Sequence, residues 1–261
     1  MTGVVELNDN IYVVVANSNK VKVFGRSPSY NSLDDIVVKE MKNPWDLAAE
    51  LITGHLYIAD WDSLCVWRLD VKGEQDSDDK EKSIDKLNME VSGPVTSFFK
   101  PLSPSTTETG QVLDVDCHNS GMTIWSGQGG KPEVINLINE DLSDTRHVIH
   151  ASSETFLVVH GNRVRLVAVE KRYGGPLDPI GLPNPRHLSE VSADGHKFVV
   201  DDERVLVLSP RLNSERTLVL RPSESKNPGL GWQQQRLCYS RSSGRLLASW
   251  GGKYVWVYTI I

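Results

Sequence analysis

Short apolar runs bounded by turn-forming residues recur along the whole chain. Residues 11–16, 56–59 and 65–69 are examples, and they are rich in Val, Ile, Leu, Tyr and Trp. Runs of this length between clusters of Asn, Asp, Gly, Ser and Pro are typical of β-strands. No segment keeps the 3.6-residue periodicity of a long amphipathic helix. The pattern therefore predicts an all-β protein.

One strand–turn–strand pattern occurs six times. Four copies align without gaps, and two more align with small insertions; they span residues 16–24, 59–67, 115–125, 159–167, 200–208 and 248–258. A polar residue marks the turn of each copy: Asn17, Asp60, Asp116, His160, Asp201 and Ser249. The intervals between these residues are 43, 56, 44, 41 and 48 residues, which is the period of a four-stranded propeller blade. The spacing predicts a six-bladed β-propeller of four-stranded antiparallel blades, with residues 1–261 as a single domain.

A second pattern precedes most copies and predicts the inner strand of each blade. It covers residues 43–50, 144–152, 184–192 and 234–240, with a weaker counterpart at 92–99. Proline near the beginning of a strand fits this assignment, because proline cannot donate a hydrogen bond to a sheet. Two segments fall outside the strands: an acidic insertion at 73–86 in blade 2 and a Ser/Pro/Thr-rich segment at 100–110 in blade 3, both predicted to be exposed loops. The outer strand of the last blade is either supplied by residues 4–7 or absent.

The sequences ANSNKVKVF (16–24) and LYIADWDS (56–63) resemble the NHL repeat. Together with NPWDLAA (43–49) and CVWRLD (65–70), they are similar to NHL-like propellers of invertebrate animals, some of which are attached to tripartite-motif modules. The resemblance implies a six-bladed propeller that binds a protein or RNA. The chain carries no RING or B-box cysteines, and His160 and Ser249 depart from the usual acidic or amide residue. A WD40 propeller is less well supported, because no Gly-His to Trp-Asp pairing recurs.

Charge and cysteine content narrow the class of protein. The formal net charge is −6 and the isoelectric point is near 5.7, so no general attraction to DNA or to an anionic membrane is expected. The three cysteines are widely spaced and lie among apolar residues, which favours buried thiols over a disulfide framework or a zinc site. No secretory signal or run of about 20 apolar residues is present. We expect a soluble, monomeric protein that is intracellular and cytoplasmic and has no cofactor.

Two sets of polar residues occupy equivalent repeat positions. Short polar side chains at a tight turn accept backbone N–H bonds, so Asn17, Asp60, Asp116 and Asp201 are predicted to be structural turn anchors. Asp46, His147 and His187 lie at one position of the inner strands and are predicted to form a ring at the mouth of the channel. That ring is either a site for a metal or anion or a set of hydrogen bonds between blades.

The face that carries these turns and the first residues of the inner strands, here called the mouth face, is the predicted binding surface. Exposed Trp and Arg dominate protein interfaces, so the candidate contact residues are Trp45, Trp61, Arg146, Arg186 and Trp232. Acidic residues on the same face oppose phosphate, which favours a protein partner over RNA. No hydrolase or nucleotide-binding motif is present, and we expect a scaffold that is not an enzyme. A channel-site hydrolase or lyase of the six-bladed propeller type is the remaining alternative.

Overall fold

The computed structural model describes residues 2–25, 28–71, 84–87, 101–116, 121–126, 133–136, 144–152, 155–168, 180–182, 184–189, 194–210, 215–220, 235–241, 243–250 and 254–260. Within these ranges the secondary structure consists of β-strands and turns, which confirms the all-β prediction. The strands form small antiparallel sheets. Within each sheet, every strand pairs with the strand that follows it in the chain.

The first three sheets contain four strands each. Sheet 1 comprises β1 (Gly3–Leu7), β2 (Asn10–Val14), β3 (Lys20–Phe24) and β4 (Ile36–Val37). Sheet 2 comprises β5 (Pro44–Glu50), β6 (His55–Asp60), β7 (Cys65–Asp70) and β8 (Ile84–Leu87). Sheet 3 comprises β9 (Ser105–Thr106), β10 (Gln111–Asp116), β11 (Gly121–Ser126) and β12 (Glu133–Asn136).

The remaining sheets repeat this order, except that sheet 6 has three strands among the described residues. Sheet 4 comprises β13 (Thr145–Ser152), β14 (Thr155–His160), β15 (Arg163–Ala168) and β16 (Ile180–Gly181). Sheet 5 comprises β17 (His187–Leu188), β18 (Lys197–Val200), β19 (Arg204–Leu208) and β20 (Glu215–Leu220). Sheet 6 comprises β21 (Gln235–Ser240), β22 (Arg245–Trp250) and β23 (Trp256–Thr259).

Local sequence explains the hairpins within each sheet. Asn8 and Asp9 connect β1 to β2 with φ values of 51° and 63°, which is the left-handed backbone of a two-residue hairpin turn. Asn and Asp adopt this conformation more readily than other residues with side chains. The turn therefore sets the register in which Leu7 lies opposite Asn10.

The core lies between neighbouring sheets rather than within one central layer. Leu56 and Ile58 of sheet 2 pack in a cluster with Val5 and other residues of sheet 1. Tyr57, the residue between them, lies on the other face with Val112 and Trp125 of sheet 3. Because successive strand residues point to opposite faces, β6 contributes to both clusters and reads as a continuous apolar run.

Sheet 1 is in contact with sheet 6 as well as with sheet 2. Val4 and Val13 pack against Leu247, and Ser243 Oγ donates a hydrogen bond to Glu6 Oε2 (3.1 Å). The proposal that residues 4–7 complete the last sheet is wrong, because they lie in β1 and pair with β2. These residues form the inner strand of sheet 1 and are not part of sheet 6.

The predicted exposed loop at 100–110 is also corrected. This segment contains β9 and takes the inner position of sheet 3, with Ser103, Ser105 and Thr107 buried. Three polar side chains are tolerated there because they hydrogen-bond, as in the contact from Ser105 Oγ to Val148 O (2.7 Å). Residues 92–99 and most of 73–86 lie outside the described residues.

Two of the three cysteines are described. Cys65 is buried and Cys238 is half-buried, whereas Cys117 lies outside the described residues.

Candidate functional site

The mouth-side ends of the inner strands bring polar side chains together at one centre. The strand register places Asp46, His147 and His187 opposite Ala59, Val159 and Val200, which are equivalent residues of the second strands. The five side chains that meet there are Asp46, Ser103, His147, His187 and Arg236, and we call them the axial cluster. All five residues are at least nine-tenths buried. Each comes from a different sheet, so the cluster joins sheets 2 to 6.

Sheet 1 contributes a glycine at the same level. A Cβ atom on Gly3 would lie 2.8 Å from Asp46 Oδ1 and 2.9 Å from Asp46 Cα. The second contact is with backbone and cannot be relieved by a rotamer change. Gly3 therefore leaves the space that the Asp46 carboxylate occupies.

Two β-bulges help to orient the cluster. The pairing of β5 with β6 shifts between Pro44 and Asp46, and the pairing of β13 with β14 shifts between Thr145 and His147. The extra residues are Trp45 and Arg146. Because a bulge changes which way the following side chain points, it allows Asp46 and His147 to face inward.

The Asp46 carboxylate is the hub of the hydrogen bonds. Asp46 Oδ2 accepts from Ser103 Oγ (2.5 Å), lies 2.7 Å from Arg236 Nε, and lies 3.2 Å from His187 Nε2. Ser103 Oγ also lies 2.6 Å from His147 Nδ1. The two imidazole rings stack with centroids 3.7 Å apart and planes inclined by 20°.

Burial and a neighbouring cation keep both imidazoles neutral. Burial lowers the pKa of His147 well below its ordinary value, and repulsion from His187 in its protonated form and from the Arg236 guanidinium lowers it further. Burial also lowers the pKa of His187, while the Asp46 carboxylate partly offsets this by raising it. At neutral pH both imidazole rings of the cluster are therefore uncharged.

Asp114 supports the cluster from β10. Its Oδ1 accepts backbone N–H bonds from Leu102 (3.2 Å), Ser103 (2.9 Å) and Val115 (2.8 Å), which hold Ser103 beside Asp46. The pKa of Asp114 is raised to about 8: burial raises it most, the three backbone hydrogen bonds lower it, and the nearby Asp46 raises it. Asp114 is therefore protonated at neutral pH.

The predicted ring of Asp46, His147 and His187 is one spatial group. Each residue offers a ligand atom within 4.8 Å of the others, a spacing that a metal ion can use. The guanidinium of Arg236, however, already contacts Asp46 Oδ2, and Ser103 occupies His147 Nδ1. These contacts favour hydrogen bonding between sheets over metal binding, since a second cation would be repelled.

A narrow cavity of about 40 Å³ adjoins the cluster. Its wall is mostly aliphatic, and its polar residues include both histidines of the cluster. It is lined by residues of all six inner strands, among them Val4, Ala48, Ser105, Ile149, Leu188 and Leu237.

The candidate contact residues of the mouth face are in part engaged with neighbouring groups. The rings of Trp45 and Trp61 lie 5.2 Å apart and are tilted by 33°, and both residues are half-buried. Arg146 contacts Asp144 and donates to Asn184 Oδ1 (3.0 Å), and Arg186 Nε donates to Asp202 Oδ1 (3.0 Å). Both arginines therefore have acidic neighbours. Trp232 lies outside the described residues.

The proposed turn anchors differ from one another in geometry. Asp201 Oδ1 accepts from the backbone of Glu203 (2.8 Å) and Arg204 (2.7 Å), the expected local turn. Asp60 instead accepts mainly from distant groups, the backbone of Lys42 (2.9 Å) and Asn43 (3.0 Å) and the Trp67 indole (3.1 Å).

In sheet 1 the hydroxyl of Ser18, rather than the side chain of Asn17, accepts the turn bond, which comes from Lys20 N (3.2 Å). Asn17 supplies a left-handed backbone with φ of 57°. The backbone of Asp116 pairs with Gly121 at the end of the β10–β11 hairpin, and its side chain lies outside the described atoms.

Sequence reasoning missed Ser103, Asp114 and Arg236. Arg236 had a usable signal, because QQRL (234–237) aligns with NPRHL (184–188) so that Arg236 matches His187. Asp114 is an acidic residue within the apolar run of β10, which also marks it as unusual. Ser103 had no such signal, because the inner strand of blade 3 was assigned to residues 92–99.

Comparison with known proteins identifies the fold. No family model and no curated relative matches the chain. A putative gluconolactonase of known structure has a TM-score of 0.72 at 14% identity, with 99% of this chain and 88% of that chain covered. A streptogramin B lyase has a TM-score of 0.62 at 11% identity, over 100% of this chain and 83% of that chain. A chain of the nidogen/laminin complex has a TM-score of 0.64 at 12% identity, over 85% and 80%. The protein has a propeller-type fold.

The same neighbours correct the expectation that the chain is not an enzyme. Two of the three are described as a lyase and a gluconolactonase, so this fold supports catalysis as well as binding. The missing hydrolase motifs were a poor guide, because residues brought together from separate strands leave no contiguous sequence motif. In the described part of the chain, no helix is long and apolar enough to cross a membrane.

Proposed function

We propose that the chain is a closed, six-bladed, NHL-like propeller that recognises a protein or peptide partner through its mouth face. Closure is supported by the contact between sheets 1 and 6 and by the cavity that all six inner strands line. The NHL assignment rests on the repeat sequences at 16–24 and 56–63.

The contact between Trp45 and Trp61 carries the binding proposal. A bulge places Trp45 beside the mouth, and the adjacent hairpin turn places Trp61 against it. Two half-buried indoles form a rigid apolar surface that loses little conformational entropy when a partner covers it.

Charge on the same face favours a protein over RNA. Asp144 and Asp202 contact the two arginines, and these carboxylates reduce the positive potential that phosphate requires. An interface with paired charges around an aromatic centre is typical of protein recognition.

Proximity cross-linking in cells with quantitative mass spectrometry tests the proposal. We expect a partner captured by the wild type to be lost with Trp61→Ala and retained with Ile52→Ala. Ile52 is a matched control, because it is an exposed apolar residue at the opposite end of the same strand pair. With the purified partner, Trp61→Ala should weaken binding by at least about tenfold, as for a typical interface hot spot.

Two results would refute the assignment. One is equal loss of the partner with both variants. The other is salt-sensitive binding of a single-stranded RNA, measured by fluorescence anisotropy, that survives in Trp61→Ala, which would favour the RNA-binding alternative.

A further inference from the structure

The third strand of sheet 6, β23, is less buried than the third strands of the other sheets. In sheets 1 to 5 the third strand contains at least two fully buried residues, whereas residues 256–258 of β23 are half-buried and Thr259 is exposed. Each of those five sheets has a fourth strand outside the third. Among the described residues, no strand pairs with the outer edge of β23.

The backbone of β23 directs hydrogen-bonding groups toward this outer edge. Ile260 N donates to Gly244 O (3.0 Å), which places the Ile260 amide on the same side of the strand as β22. Backbone amides alternate in direction along a strand, so Tyr258 N–H points toward β22 and the N–H groups of Val257 and Thr259 point away from it. An edge of this kind is a template for one further strand.

The apolar cluster between sheets 6 and 1 is open at its outer end. In the cluster between sheets 1 and 2, Ile36 of the outer strand keeps 4% of its accessible surface, and Val38, which follows that strand, keeps 1%. The cluster between sheets 6 and 1 has partly buried members that include Phe24, Tyr30, Val255 and Val257. An apolar side chain from a further strand would cover these groups and remove their surface from water.

Sheet 1 presents positive charge on the face that it turns toward sheet 6. Side chains alternate along β3, so Lys20 and Lys22 lie on the same face as Phe24, and both are exposed. Lys20 Nζ lies 3.6 Å from Asp35 Oδ2, whereas Lys22 makes no ion pair with a described residue. Since β23 contains no charged residue, this charge favours an acidic segment over the β23 strand of a second copy.

The outer strands of the other sheets show which sequence this architecture uses beside a third strand. Asp34 and Asp35 precede β4, Asp85 lies within β8, and Glu133 and Glu215 begin β12 and β20. In each case Ile, Val or Leu follows within three residues. The pattern combines an acidic residue with side chains that suit a strand packed on one face.

We propose that the outer edge of β23 binds an extended segment of a partner protein in which an acidic residue is followed by Ile, Val or Leu. The segment adds to sheet 6 as a fourth, antiparallel strand. Main-chain hydrogen bonds to β23 supply affinity, and the apolar cluster and Lys22 select the side chains. The site does not involve Trp45 or Trp61, so this proposal and the one for the mouth face can fail independently.

The peptide SLDDIVVKE is the probe, because these residues, 32–40, contain the outer strand of sheet 1. Fluorescence anisotropy of the labelled peptide measures its binding to the purified protein. We expect saturable binding that Val257→Pro weakens at least about fivefold, because proline removes an outward N–H group and its hydrogen bond to the peptide. Trp61→Ala should bind the peptide as the wild type does.

Val37→Pro is the matched control. Val38 N donates to Asn19 O (2.9 Å), so the N–H of Val37 also points outward, but from a strand that is already the fourth of its sheet. This variant should keep wild-type affinity. The peptide SLNNIVVKE, which lacks both carboxylates of the aspartates, should bind more weakly than SLDDIVVKE.

Amide hydrogen exchange followed by NMR tests the edge without any variant. In the free protein, the amides of Val257 and Thr259 should exchange faster than that of Tyr258, and SLDDIVVKE should protect them. The proposal is overturned if these two amides are already as protected as Tyr258 in the free protein, since the edge is then occupied.

Three further results would also overturn the proposal. The first is wild-type peptide affinity in Val257→Pro, and the second is equal affinity for SLNNIVVKE, which removes the requirement for acidic residues. The third is a dimer, detected by light scattering, that Val257→Pro dissociates, because the edge then belongs to a second copy of the chain.

Discussion

Two Asp–Arg ion pairs in this protein have the same chemistry, but one forms within a single hairpin and the other between two sheets. Asp201 and Arg204 pair within one hairpin turn, at 3.1 Å, and the arginine side chain keeps 28% of its accessible surface. Asp46 and Arg236 pair at 2.7 Å between sheets 2 and 6, and the arginine side chain keeps 6%. The turn pair requires only its own hairpin, whereas the axial pair requires sheets 2 and 6 to come together.

The comparison shows where the stability of the fold depends on charge. A partly exposed pair gains little, because water solvates either partner alone. A buried pair is costly to break, because the remaining charge stays in a poorly polarisable interior. We therefore expect the axial cluster to respond strongly to single substitutions and weakly to changes that remove charge from both partners.

The largest predicted effect follows from Arg236→Met, which leaves the Asp46 carboxylate buried without its cation. Unfolding in urea should show a loss of about 3–5 kcal/mol, whereas Arg204→Met should cost less than about 1 kcal/mol. The double variant Asp46→Asn/Arg236→Met should recover much of the loss. Equal costs for the two arginine variants would remove the distinction between the pairs.

An intermediate effect is expected at the turns. Asp60→Ala removes the acceptor of three distant donors, Lys42 N, Asn43 N and Trp67 Nε1, and should cost about 2–4 kcal/mol by chemical denaturation. Asp201→Ala should cost about 1–2 kcal/mol, since its donors lie in the same exposed turn. If Asp201→Ala proves the more damaging variant, the turn anchors are not ranked by the sequence distance of their donors.

Asp114→Asn is expected to change the free energy of unfolding least at low pH, where the native side chain is also uncharged. It should also give the clearest dependence of stability on pH. Because the folded pKa is raised to about 8 from an ordinary value of 3.8, this group stabilises the fold most below about pH 4 and progressively less as the pH rises toward 8. His147 and His187 act oppositely, since their lowered pKa values cost stability as the pH falls below 6.5.

Thermal unfolding across pH checks this assignment. Wild-type stability should decline between pH 6.5 and 8, and Asp114→Asn should abolish that decline while the loss below pH 6.5 remains. A decline that persists unchanged in Asp114→Asn would contradict the assignment to this carboxyl. Asp60 provides the contrast: burial raises its pKa, but hydrogen bonds to both carboxylate oxygens outweigh burial and leave the pKa lowered.

Sequence reasoning was accurate where interactions are local. Asp201 was predicted to anchor a turn, and its side chain accepts hydrogen bonds from the backbone of Glu203 and Arg204 in the same hairpin. His147 and His187 were recognised as equivalent because the residues around them repeat. Blade 3 was misassigned because the 100–110 segment lacks that local pattern and its polar residues resemble those of an exposed loop.

The amino-acid order alone thus establishes the repeated strand–turn–strand unit and the equivalence of positions within it, because these depend on backbone preferences and on neighbours a few residues away. The meeting of Asp46 with Ser103, His187 and Arg236 depends on contacts between different sheets. So does the protonation of Asp114, since burial and the charge of a distant residue set its pKa. These properties arise from the packing of the sheets, where desolvation and charge act through space rather than along the chain.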